Sequence, residues 1–163
     1  MYKNTVILVK LKIGKMKKFT TYIPLLIIGF FLNCENHTTD VTFHPSHEEK
    51  KINAPFSDAV ETSNFLFLSG QIGMNHTTRT LVDGGIKAET IQTIKNIEAV
   101  LKHHNLSLDN VIKCTVILKD IDDFSVFNDI YTPYFKNKPA RTTFAASGLA
   151  ANASIEIEVI AHK

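Results

Sequence analysis

The stretch Val111–Phe135, "VIKCTVILKDIDDFSVFNDIYTPYF", decides the fold, because its apolar period changes midway. Over its first ten residues Ile112, Cys114, Val116 and Leu118 share one face, while Val111, Lys113, Thr115, Ile117 and Lys119 share a more mixed one. That predicts a strand buried mainly on one side. Beyond it, aspartates supply an N-cap and first-turn charge, and Phe124, Phe127, Tyr131, Tyr134 and Phe135 recur at helical spacing. An amphipathic helix is predicted, bent or weakened by Pro133.

Working outward, "RTLVDGGIKAETIQTIKNIEAVLKHHN" opens on an Asp-Gly-Gly turn and sets Ile91, Ile94, Ile97 and Leu101 on one helical face. Before it, "DAVETSNFLFLSG" reads as two short strands around a turn at Ser63 and Asn64. After it, "PARTTFAASG" and "ASIEIEVIAHK" are extended, and in the second Ile155, Ile157 and Val159 alternate with Glu156 and Glu158. Two strands, helix, strand, helix, two strands describe an α+β fold, a sheet with two helices packed on one face. The opposite face carries Glu156 and Glu158 beside Ile160, too mixed for a core and too apolar for plain solvent. A subunit interface is the economical expectation for it.

This folded body spans residues 51–163. Residues 1–34 differ from it: "MKKFTTYIPLLIIGFFLNCEN" runs from lysines through an apolar stretch, Tyr22 to Leu32, to a cysteine and polar residues. That is the order of zones in an export signal. The apolar run is shorter than the roughly 20 residues of a spanning helix. "FLNC" resembles the lipobox of bacterial lipoproteins, which makes Cys34 the expected lipidation site and the cell envelope the expected location, with a cytoplasmic protein as the alternative. Met16 as the start would give the signal normal proportions.

Residues 35–50, "ENHTTDVTFHPSHEEK", read as a polar linker without period. His44, His47, Glu48 and Glu49 match no established ligand spacing there, a tether would hold ligands poorly, and no metal is expected. His103 and His104 fall at the end of the first helix, where they favour its dipole. Cys114 lies inside the predicted strand and reads as a packing residue.

With 163 residues, 44% of them hydrophobic, the chain can build one core, and its net charge of +2 comes from scattered lysines. Neither a nucleic-acid footprint nor a phosphate loop, nucleophile elbow or zinc signature is present. Arg141, in "KPARTTF", has two readings: an edge-strand arginine lying on apolar surface, or a rigid fork suited to a carboxylate. Glu156 is the candidate general base, with Glu158 its rival, because desolvation on an interface-facing strand raises a carboxyl pKa.

Taken in order, "LSGQIG", "LVDGGIKAET", "VIKCTVILKDIDDFSVFNDIYTPYF", "PARTTF" and "IEIEVIA" resemble the Rid family of reactive intermediate deaminases, also called YjgF. The resemblance implies a chorismate-mutase-like subunit forming a homotrimer with clefts between subunits. It also implies hydrolysis of 2-imino acids and their enamines, such as 2-aminoacrylate, to 2-oxo acids and ammonia, without cofactor or metal. Carried over by position, Arg141 grips the substrate carboxylate and Glu156 lies near the attacking water. Asn128, Ser69 and the Thr143 backbone line the cleft. The family usually has Gly-Pro-Tyr where this chain has Ala54, Pro55 and Phe56, so Phe56 keeps a ring without a hydroxyl. A trimeric module that binds small carboxylates without turnover is the alternative, and RNA-cleaving members of the wider family are a further one.

Overall fold

A computed structural model describes residues 40–163. The leader, the start at Met16, Cys34 and the first part of the linker lie outside the described residues. In chain order the elements are β1 (Val41–His44), β2 (Ala59–Thr62), β3 (Phe65–Ile72), β4 (Met74–Asn75) and β5 (Thr80–Leu81). They continue with α1 (Gly85–His103), β6 (Val111–Leu118), α2 (Phe124–Tyr134), β7 (Ala140–Ala145) and β8 (Ile155–His162). Six strands form one sheet in the order β1-β2-β3-β8-β6-β7, and β4 pairs with β5 in a separate hairpin. All pairings in the large sheet are antiparallel except β6 with β7. That parallel pair encloses α2, as a crossover between parallel strands requires.

The core lies between the helices and one sheet face. On β8, Ile155, Ile157 and Val159 are buried; on β6, Cys114, Val116 and Leu118 are. Phe127 and Tyr131 from α2 and Ile94, Ile97 and Leu101 from α1 cover them. Burying Phe127 alone is worth about 1.5–3 kcal/mol. The α+β architecture and the one-faced strands agree with the sequence reading.

Four details differ from it. Residues 41–44 are not linker: they add edge strand β1 antiparallel to β2, with Phe43 opposite Val60 and His44 opposite Ala59. β-branched and aromatic Val41, Thr42 and Phe43 suit a sheet edge, which the surrounding polar residues concealed. Ile112 is 45% exposed whereas Val111 is buried, because a register shift between Val111 and Lys113 reverses the alternation at the strand's start. Ile91 is only half-buried; the buried stripe of α1 instead includes Glu89, Thr90, Thr93 and Asn96. Three of these four are satisfied there: Thr90 donates to the Ile86 carbonyl, Asn96 donates to the Ile72 and Met74 carbonyls, and Glu89 accepts from the Ser154 amide and hydroxyl, at 2.7 Å each. The hairpin of β4 and β5 was unforeseen because two-residue strands leave no period.

α1 starts after Gly84, whose φ of 115° suits glycine. It ends in a Schellman arrangement: Asn105, at φ 59°, donates to the Lys102 carbonyl, and Leu106 donates to that of Leu101. This cap fixes His104 at the helix end. α2 runs through Pro133 and stops one residue later, so the proline acts as a terminator.

The open face carries an apolar row. Phe43, Val60, Phe67 and Ile160 stand in register across β1, β2, β3 and β8, with Phe43 67% and Phe67 41% exposed.

Candidate active site

Arg141 and Glu156 sit on the same sheet but on opposite faces. Arg141 is in register with Cys114, which is fully buried under the helices. Glu156 is in register with Ile117, one residue out of phase with the core, and so belongs to the open face. Side-chain alternation puts the sheet between them within one chain.

The Arg141 side is an aromatic wall. The guanidinium lies 4.6 Å from the Tyr131 ring centroid, 5.3 Å from Phe127 and 5.7 Å from Phe124. One of its nitrogens donates to Asn128 Oδ1 at 2.9 Å. These contacts hold a planar cation in one orientation and leave other donors of its fork for a ligand. β7 ends the sheet, so both readings of Arg141 apply: the stem packs at an edge, and the head is held as a fork. A cavity of about 300 Å³ opens here between α2 and β7, lined by Asn128, Tyr131, Lys138 and Arg141. Burial pushes the Tyr131 hydroxyl far up, and it donates to Cys114 Sγ at 3.3 Å. Cys114, its own pKa raised by burial, is the packing residue expected.

The Glu156 side is a separate cavity of about 270 Å³. Phe56, Gly70 and Glu156 line it together with Lys51, His76 and Arg79. Burial raises the Glu156 pKa, and the neighbouring Glu158 charge adds to this. Gly70 makes room for the carboxylate: a Cβ there would stand 2.0 Å from Glu156 Oε1. Lys51 is held by an ion pair to buried Asp58 at 2.5 Å and lies over the Phe56 ring, 5.6 Å from its centroid. Desolvation lowers the His76 pKa. Phe56 is 51% exposed, its ring facing the cavity rim.

Arg141 and Asn128 therefore meet in one cavity, and Glu156 and Phe56 in the other. Ser69 donates its hydroxyl to the Ser57 carbonyl at 2.6 Å, a local tie behind the cavity that Gly70 lines. Thr143 lies on the Arg141 face, its hydroxyl oxygen buried and without a protein partner. Lys51, His76 and Arg79 were missed by sequence reasoning; they come from a segment start and a short hairpin, with no spacing to mark them.

A second cluster lies away from both cavities. His44, Glu61 and His104 bring potential ligand atoms within 4.8 Å of one another. Lys163 donates to Glu61 Oε1 at 2.6 Å and lowers its pKa. Desolvation and the surrounding histidines lower that of His104.

Known proteins resemble this chain in sequence and fold. A family model described as Endoribonuclease L-PSP matches residues 48–163. A RutC family protein of Aquifex aeolicus is 46% identical over 112 residues, 67% of this chain and 89% of its own. Human 2-iminobutanoate/2-iminopropanoate deaminase is 43% identical over 108 residues, 66% of this chain and 79% of its own. Among solved structures, YyfA of Yersinia pestis, a protein of the Rid family, superposes with a TM-score of 0.71 at 36% identity, over 76% of this chain and all of its own. The E. coli YjgF gene product gives 0.68 at 27%, over 75% and 98%. The sheet, its two helices and the homology of residues 48–163 lead to one conclusion: the chain belongs to the Rid (YjgF) family.

Proposed function

We propose that the protein is a cofactor-independent deaminase that hydrolyses small 2-imino acids and their enamine tautomers to 2-oxo acids and ammonia. The observation that carries the reading is the pairing of an oriented guanidinium, Arg141 on Asn128 and the aromatic wall, with a glutamate of raised pKa, Glu156. Arg141 binds the carboxylate, water attacks the imine carbon, and Glu156 carries the water's two protons to the nitrogen in turn, the first as the carbinolamine forms and the second as its C–N bond breaks to leave the carbonyl. The products are the 2-oxo acid and ammonia. Human, bovine and mouse relatives bearing the deaminase name support the reaction class.

Because the sheet separates Arg141 from Glu156 within a chain, the working site is one in which Arg141 of one protomer faces Glu156 of the next. The apolar row Phe43, Val60, Phe67 and Ile160, with both phenylalanines exposed, supports an open face covered by neighbours in a homotrimer. The test is subunit mixing. Arg141→Ala and Glu156→Gln proteins are each expected to release little ammonia from a 2-imino acid generated in situ. When the two are unfolded and refolded together, about a quarter of composite sites regain both residues by random assortment. Activity recovered in the mixture supports the reading; two silent variants whose mixture stays silent would overturn the composite site, and undiminished rates in either would overturn the mechanism.

Capture of small carboxylates without turnover has one observation in its favour, the ring without a hydroxyl at Phe56. Ligand binding without ammonia release selects it. An envelope location through lipid on Cys34 belongs to the same proposal, and mass spectrometry of the mature N-terminus tests it.

A further inference from the structure

The strongest unassigned feature is the histidine cluster where β1 meets the end of α1. His44 and Glu61 come from paired strands and share the face of the sheet that the helices cover: His44 is in register with buried Ala59, and Glu61 with buried Leu66. His104 arrives from a third element, fixed by the Schellman cap of α1. The His44 and His104 rings lie 4.6 Å apart, and His44 Nε2 is 3.3 Å from Glu61 Oε2. His47 stacks on His103 at 5.1 Å beside them, so four of the chain's seven histidines gather at one end of the fold.

We propose that His44, His104 and Glu61 form a binding site for a divalent transition-metal ion, with zinc the ion its donors suit best. Two imidazoles and a carboxylate are a common protein set for zinc, with a fourth position left to water. Tetrahedral coordination needs ligand atoms about 3.4 Å apart, so donors within 4.8 Å of one another have about 1.4 Å or less to close on an ion. The side chains of His44 and Glu61 are 29% and 32% exposed, which leaves an entry path without loosening the backbone. Lys163 occupies Glu61 Oε1 and leaves Oε2 turned toward His44, an outer contact that orients a ligating carboxylate. Among the described residues the ring nitrogens of His104 have no hydrogen-bond partner, although the ring is half-buried.

His44 lies on an edge strand that is paired in the sheet only with β2. An ion bound by His44, Glu61 and His104 would clasp this edge strand to the end of α1. It would stabilise the fold at an edge remote from Arg141.

The test uses the full chain without an affinity tag, stripped of metal, titrated with Zn2+ against a chromophoric chelator. One Zn2+ per chain is expected, together with a Zn2+-dependent rise in melting temperature and X-ray absorption that shows nitrogen and oxygen ligands without sulfur. His44→Gln and His104→Gln are each expected to weaken binding at least tenfold, whereas His76→Gln, in the Glu156 cavity, keeps it. Far-UV circular dichroism checks that the variants fold; should either glutamine variant not, Glu61→Gln supplies the same comparison. Absence of one-to-one binding, or binding lost with His76→Gln and retained without His44 and His104, would overturn the site.

Discussion

Gly70→Ala tests the position of Glu156 without touching a reacting group. A Cβ at Gly70 would fall 2.0 Å from Glu156 Oε1, against an ordinary contact that begins at 3.4 Å, so the carboxylate must retreat by about 1.4 Å. The obstructing atom is the far end of a flexible side chain, and the backbone at Gly70 has no positive φ. The fold is therefore expected to absorb the change at a cost of about 1 kcal/mol or less. Catalysis is less tolerant, since a displacement near 1 Å costs about a hundredfold. Deamination of 2-iminopropanoate generated in situ, followed as ammonia release, should drop by that order, mostly in kcat. Thermal unfolding should move by only a few degrees. Full activity with an unchanged melting curve would refute the placement of Glu156 as the proton-transfer group.

Other outcomes follow from the same geometry. Arg141→Lys should raise KM ten- to a hundredfold, because one ammonium replaces a fork oriented by Asn128 and Tyr131, and charged hydrogen bonds are worth about 1.5–3 kcal/mol; steady-state kinetics measures it. Phe56→Tyr, which restores the hydroxyl at the rim of the Glu156 cavity, should lower KM several-fold with little effect on the melting temperature. Glu156→Gln should melt higher than wild type at neutral pH, since a carboxyl whose pKa is raised by folding loses stability when it ionises. The gain should vanish as pH falls below the ordinary glutamate value of 4.5, where the unfolded chain is protonated too. Glu89→Ala should lower stability by about 2–4 kcal/mol, read by denaturant melts, because it removes a buried carboxylate that takes two 2.7 Å bonds from Ser154.

Much of the fold was legible in the chain because its signals are local. The alternation of Ile155, Glu156, Ile157, Glu158 and Val159 assigns a face to each residue of β8 before any partner is known, and Phe127 and Tyr131 do the same for α2. Those periods also put Glu156 on a mixed, exposed face, which made it a candidate base. The exceptions arose where a nonlocal partner overruled the period. The bulge at Val111 and Lys113 turned Ile112 outward, and edge pairing with β2 drew Val41–His44 out of a segment whose composition reads as linker.

The site divides in the same way. Residue chemistry marked Arg141 and Glu156, because a fork and a strand carboxylate each have a chemistry that travels with the residue, whereas Asn128 and Phe56 were marked by the family resemblance. Tertiary structure decided which of them meet. Register with Cys114 sent Arg141 to the helix face, and register with Ile117 sent Glu156 to the open one. It also brought Lys51, His76 and Arg79 to the second cavity, and His44 to His104, across separations that no spacing rule spans. The physical reason is that periodicity records which way a side chain points, whereas proximity is created by strand pairing and helix packing between residues distant in the chain.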